Sequence, residues 1–185
     1  VDGELQGELS YTGIDVVRSD RAAVTKDLMQ RVLSHILRAP TQSDAREKVY
    51  NEIESTITAI RDGEVDNDYI ARPRGMSKSP EAYGSPSNTP MPTYRGAKYA
   101  NQNFEWENIT SGGKPQLLYI EKVRSSEYPH TYTAETKEDD RPVDAIAVEQ
   151  PNKLPDGFVV DYDTMIEKTI EDPLDPILAP LNWSV

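Results

Sequence analysis

SDRAAVTKDLMQRVLSHILRAPTQSDAREKVYNEIESTITAIRDG, residues 19–63, carries the strongest periodicity in the chain. Val24, Leu28, Val32 and Ile36, backed by Met29, Leu33 and Leu37, recur at three- and four-residue intervals, which predicts an amphipathic helix of about five turns. Ser19 and Asp20 offer its start, with acid near the positive end of the dipole, and Pro40 stops it. Thr41 and Ser43 can cap a second helix. Its apolar face reads Ala45, Val49, Ile53, Ile57 and Ile60, and Gly63 ends it. Two such helices joined by a short link predict an antiparallel pair. His35 lies beside the apolar face, where a partly buried, hydrogen-bonded histidine is expected.

Outward from the pair, the flanking elements are shorter and mixed. Residues 8–18 read as a short strand with β-branched residues at its end, punctuated by Gly7 and Gly13. Residues 66–72 read as a short extended segment, and Pro73 and Gly75 then break regular structure. A helical turn is expected over 79–83, turns over 85–92 and a helix over 93–102. After Gly112-Gly113, residues 115–123 read as a buried strand and 142–149 as another, with 125–140 an excursion at the surface. A short helix over 161–170 and a broken one over 173–181 complete the chain. The fold class expected is α+β.

At 185 residues the chain is about one domain and long enough to bury a core. It contains no cysteine, which excludes disulfides and thiolate metal sites and favours an intracellular, cytoplasmic setting. No run approaches the ~20 apolar residues of a membrane span, so no membrane partner is expected. The start, VDGELQGELS, lacks a signal-peptide pattern and an initiator Met, so the chain is expected to begin partway through a longer protein.

The formal charge of −12 hides an asymmetry. Between Ala71 and Tyr99 stand Arg72, Arg74, Lys78, Arg95 and Lys98 against Glu81, a local +4 that leaves −16 on the rest. A cationic island in an acidic chain points to an anionic partner. The 69–99 stretch is also rich in Pro, Gly and Ser, and Ser77, Tyr83 and Tyr94 add hydrogen-bond donors suited to phosphate. The same residues also fit a merely solvated loop. They fit too a non-catalytic acidic interaction module whose basic loop binds an acidic or phosphorylated protein. The acids are spread rather than run together, as expected of a surface adapted to high salt.

Other constellations have plain readings. Asp161 and Asp163 could hold a divalent metal pair, but capping of the following helix is the simpler reading. Asp62, Glu64, Asp66 and Asp68 lack the glycine and glutamate that a calcium loop requires. His35 and His130 have no nucleophile beside them in the sequence pattern, so a hydrolase triad is unsupported. No catalytic or metal-ligating residue is assigned.

Five segments, in order, resemble the C-terminal part of an archaeal-type family B DNA polymerase. GIDVVRSDRAAVTKDLMQRVLSHIL (13–37) resembles the passage from the last palm strand into the thumb. YIARPRGMSKSPEAYG (69–84) resembles the thumb stretch with a K-x-P-x-x-Y element. PMPTYRGAKYAN (90–101) resembles the family's Pro-His-Val element and basic helix, with Thr93 and Tyr94 where His and Val are common. A role for that histidine is therefore not carried over. RPVDAIAVE (141–149) and VDYDTMIEKTIEDPLDPILAPLNW (160–183) resemble the closing strand and helices.

The resemblance implies a trailing palm strand over 1–18 and a thumb over 19–185. The basic stretch, with Arg72, Arg74, Ser77, Lys78, Tyr83, Tyr94, Arg95 and Lys98, would then contact primer-template DNA. It implies further partners: the palm, fingers and exonuclease portions of the same polymerase, in the same or a split chain, and a sliding clamp. The family's D-T-D and K-x-x-x-N-S-x-Y-G elements do not occur here. The Mg2+ of the whole polymerase would thus be held elsewhere, and this chain alone is expected to be inactive.

Overall fold

Helix α1 spans Ala23–Arg38 and α2 spans Gln42–Arg61 in the computed structural model, which describes residues 10, 18–82, 91–106, 108–132 and 141–185. They are antiparallel, as the periodicity predicts. Arg31 reaches Glu52 at 2.8 Å and Thr56 at 3.3 Å, while His35, one turn on, reaches back to Glu52 at 3.4 Å. Val24, Leu28, Met29 and Val32 of α1 are buried with Ala45, Val49, Ile53 and Ile60 of α2. Leu37 is 52% exposed, although the sequence suggests a core position. At 100° per residue it is turned about 150° from the centre of the buried stripe.

The helix boundaries follow local chemistry. Thr41 Oγ1 accepts the Asp44 amide at 3.1 Å and caps α2. Gly63, at φ 68°, supplies the left-handed residue after its end. The start of α1 differs from expectation. Ser19 and Asp20 form a turn, and the helix begins at Ala23 without a side-chain cap. The Asp20 carboxylate is already held by Arg18, at 2.9 and 2.8 Å.

The segment expected to be extended at 66–72 instead begins with a helical turn, α3 (Asn67–Ile70). Asn67 and Asp68 bond to Pro151 and Asn152, and Ile70 is buried, which turns the chain inward. A two-residue strand follows, β1 (Arg72–Pro73). A 3-10 turn then forms over Pro80–Ala82, within the span expected to turn. The strand expected over 8–18, with the domain boundary at 18, lies outside the described residues save Ser10 and Arg18. So do Tyr83 and most of 85–92.

Strand β2 (Gln116–Val123) is the hub of a four-stranded antiparallel sheet. Its first half pairs with β1 through Arg72↔Leu117 and with β3 (Ala145–Val148) through Leu117↔Ala147. Its second half pairs with β4 (Phe158–Val160), a strand that the sequence reading missed. The register shifts between Ile120 and Lys122, so Glu121 is an extra residue, a β-bulge. Helix α4 (Pro92–Asn103) lies across β3. The approach is close enough that a Cβ on Gly96 would stand 2.8 Å from the Ala147 amide nitrogen.

The 125–140 stretch is not wholly a surface excursion. Tyr132 is 4% exposed, and Tyr128 joins Phe104 and Phe158 in edge-on and tilted ring contacts. Tyr99 extends this group and donates to the Pro129 carbonyl. The chain ends in α5 (Tyr162–Ile166), a π-helical segment over Glu167–Glu171, α6 (Asp172–Leu178) and a 3-10 turn. Thr25 of α1 donates to the Thr169 carbonyl at 2.6 Å, so the helix pair ties directly to the π segment. Mixed helices and a small antiparallel sheet make the fold α+β, as expected.

Candidate nucleic-acid interface

The loop after β1 is built as an extension of the sheet. Arg74 N donates to the Pro115 carbonyl and Met76 N to the Gly113 carbonyl, each at 2.9 Å, and Gly112 N returns a bond to Met76 at 2.7 Å. Ser111 Oγ adds a bond to the Ser77 carbonyl at 3.1 Å. Met76 anchors the loop from below, packed with Ala97, Ile109, Leu117, Ala145 and Ala147. Ser77 and Lys78 are exposed beyond this anchor, and Arg72 and Arg74 are half-buried at its base. Loop residues carried on a fixed strand edge are suited to holding a ligand at a set position.

Charge is concentrated at that base. Arg74 lies 3.5 Å from the Asp20 carboxylate. Burial lowers the pKa of Arg72, and the neighbouring charge of Arg74 lowers it further, although it stays protonated at any working pH. Asp20 is held below the usual carboxylate range by its hydrogen bond from Arg18.

Helix α4 divides the remaining residues of the sequence-predicted set. Arg95 is not a surface cation. Its side chain is 8% exposed, its Nε donates to Asp144 Oδ1 at 2.8 Å, and its Nη2 donates to Asp144 Oδ2. Tyr132 completes the group: its hydroxyl lies 2.7 Å from Asp144 Oδ1 and accepts the Ala145 amide at 3.0 Å. Burial alone would lower the Arg95 pKa, but Asp144 and Tyr132 more than offset this and raise it. For Asp144 burial likewise opposes ionisation, and the bonds from Arg95 and Tyr132 win, so its pKa is lowered. Arg95 thus fastens α4 to the start of β3. Helical spacing placed it near Lys98, but α4 lies flat on the sheet and takes Arg95 inward with Gly96, Ala97 and Tyr99. Lys98 remains half-exposed, and Tyr94 packs partly against the Met76 cluster.

The remaining polar clusters take structural roles. Asp161 Oδ1 accepts the Thr164 amide at 2.9 Å and caps α5, while Asp163 is exposed and pairs with Arg61 at 3.3 Å. His130 is exposed and bonds through Nε2 with the Ser125 carbonyl at 2.9 Å. Among the described residues no group of three or more His, Asp or Glu is placed to hold a metal ion. No helix among them is long and apolar enough to cross a membrane. Sequence reasoning missed Asp144 and Tyr132 as the partners of Arg95. It also missed Lys114, whose Nζ donates to the Ser19 carbonyl at 2.6 Å at the same end of the sheet as Arg74.

The family profile described as DNA polymerase family B matches residues 2–181. The chain belongs to DNA polymerase family B. Among solved structures, it is similar to the family B DNA polymerase of the hyperthermophilic archaeon Pyrobaculum calidifontis, with a TM-score of 0.57 at 17% identity. That match covers 85% of this chain and 18% of the Pyrobaculum chain, so the likeness spans less than a fifth of a family B polymerase. No curated protein matches the sequence. At this identity the structural likeness speaks for the fold, and membership of the polymerase family rests on the profile match.

Proposed function

We propose that this chain is the thumb of a family B DNA polymerase and grips the primer-template duplex during nucleotidyl transfer carried out by the rest of the enzyme. The observation that carries the reading is the loop 74–78. It brings cationic and hydroxyl side chains to a fixed strand edge of an otherwise acidic family B chain. Arg72, Arg74 and Lys78, with Lys98, Ser77 and the tyrosines as lesser members, would meet the phosphates. Such contacts position a duplex without reading its bases. Their contribution to the reaction is orientation of the primer end, with reacting groups and metal ions supplied by the palm and fingers. The chain by itself is then inactive, and residues 1–18 belong to the palm.

The test is a salt titration of duplex binding by the assembled polymerase. Each lost phosphate contact flattens the slope of log affinity against log salt by about 0.9. Arg74→Ala and Lys78→Ala are each expected to do so equally for any DNA sequence. Arg46→Ala on the exposed face of α2, where the guanidinium lies over the Tyr50 ring, should leave the slope unchanged. Circular dichroism at every salt concentration checks folding, because an acidic protein adapted to high salt loses stability at low salt. Equal slopes in all variants would remove the loop from the DNA interface and favour an acidic or phosphorylated protein as partner.

A further inference from the structure

Three segments remote in sequence bring basic side chains together where β1 meets the start of β2. Lys114, just before β2, is exposed, and its bond to the Ser19 carbonyl at 2.6 Å holds the 18–21 turn against the sheet. In that turn Arg18 forks onto Asp20 at 2.9 and 2.8 Å, and Arg74 approaches the same carboxylate at 3.5 Å. Arg21 and Arg74 both act on the charge of Arg72. Arg18 and Arg74 thus meet on Asp20 and Lys114 on Ser19, with Arg21 next to Asp20 in the chain and Arg72 on β1 two residues before Arg74. Concentrating like charge in this way costs folding energy. A polyanion laid across the group offsets that cost.

We propose that Arg18, Arg21 and Lys114 belong to the duplex-contacting surface. That surface then continues from the 74–78 loop, around the start of β2, to the turn before α1. The inference rests on the thumb reading above. The occupant is the sugar-phosphate backbone of duplex DNA, because its closely repeated charges can engage cations from three segments at once. The fork of Arg18 on the Asp20 carboxylate is also the geometry in which a guanidinium takes two phosphate oxygens. None of the three residues lies in the basic 69–99 stretch, so the tertiary fold, rather than local composition, assembles this part of the surface.

The experiment extends the salt titration to Arg18→Gln and Lys114→Gln, both at exposed positions, and to Arg21→Gln. Each is expected to flatten the duplex slope by about 0.9. If Arg21→Gln perturbs folding by circular dichroism, the two exposed variants decide. A slope unchanged in these variants but flattened by Arg74→Ala and Lys78→Ala overturns this inference and leaves the thumb reading standing. Unchanged slopes in both groups overturn both. A duplex slope kept intact while binding of a phosphorylated acidic peptide is lost overturns the inference in favour of a protein partner.

Discussion

Asp144→Asn keeps the shape of its side chain and removes the charge that Arg95 faces. The two partners are unequal: the Arg95 side chain is 8% exposed and that of Asp144 is 52% exposed. Without its carboxylate, Arg95 leaves a cation in the interior that water reaches poorly. Breaking a buried pair from one side costs about 3–5 kcal/mol. Water at the Asp144 end relieves part of this, so about 2–3 kcal/mol is expected for Asp144→Asn. Arg95→Met leaves the opposite remnant, a half-wet carboxylate that solvent can hydrate, and should cost about 1 kcal/mol. The double variant should resemble Arg95→Met alone, because no stranded guanidinium remains. Urea unfolding followed by circular dichroism at fixed high salt gives all three values and their coupling. An Arg95→Met loss equal to or larger than that of Asp144→Asn would refute the assignment of Arg95 as the buried member. Acid should act in the same direction. With the Asp144 pKa lowered in the fold, its contribution is full above the ordinary carboxylate range near pH 4 and is lost as pH falls through the lowered value.

Gly96→Ala should destabilise by about 1–3 kcal/mol, whereas in an open helix the same change stabilises by about 1 kcal/mol. The added Cβ would meet Ala147 N at 2.8 Å and Ile146 backbone atoms at 2.9 Å, and a stability gain on thermal or urea unfolding would show that α4 does not lie this close to β3. Alkali should weaken the fold above pH 10, because burial and Tyr128 push the Tyr99 pKa from 10.0 up to about 12 and burial raises that of Tyr132 as well. A raised pKa contributes stability that is full below the unfolded value and is lost as pH rises through the folded one. A phenolate titration in which every tyrosine ionises near pH 10 with the protein still folded would contradict the buried positions of Tyr99 and Tyr132.

The helix pair was legible because its signal is local. Val24, Leu28 and Val32 face one way by the geometry of an α-helix alone, and Thr41, Pro40 and Gly63 punctuate it through backbone chemistry that acts within a few residues. The same holds for β2, with a near-continuous apolar run after Gly112-Gly113, and for Asp161 as the cap of α5. The order of motifs also carried the family. What sequence could not show is which residues meet across the fold. Arg95 and Lys98 look alike on a helical wheel, and only the seating of α4 on β3, made possible by Gly96, turns one inward to Asp144 and leaves the other half-exposed. The strand β4 is three residues long, too short for a period to declare itself, and it forms because β2 offers it a paired edge past the Glu121 bulge. Lys114 and Arg18 sit in segments with no basic density of their own. Local sequence sets backbone preferences and faces, so it determined the paired helices, the caps of α2 and α5, and the central strand. The grouping of charges depends on contacts between residues tens of positions apart, and tertiary packing alone decided it.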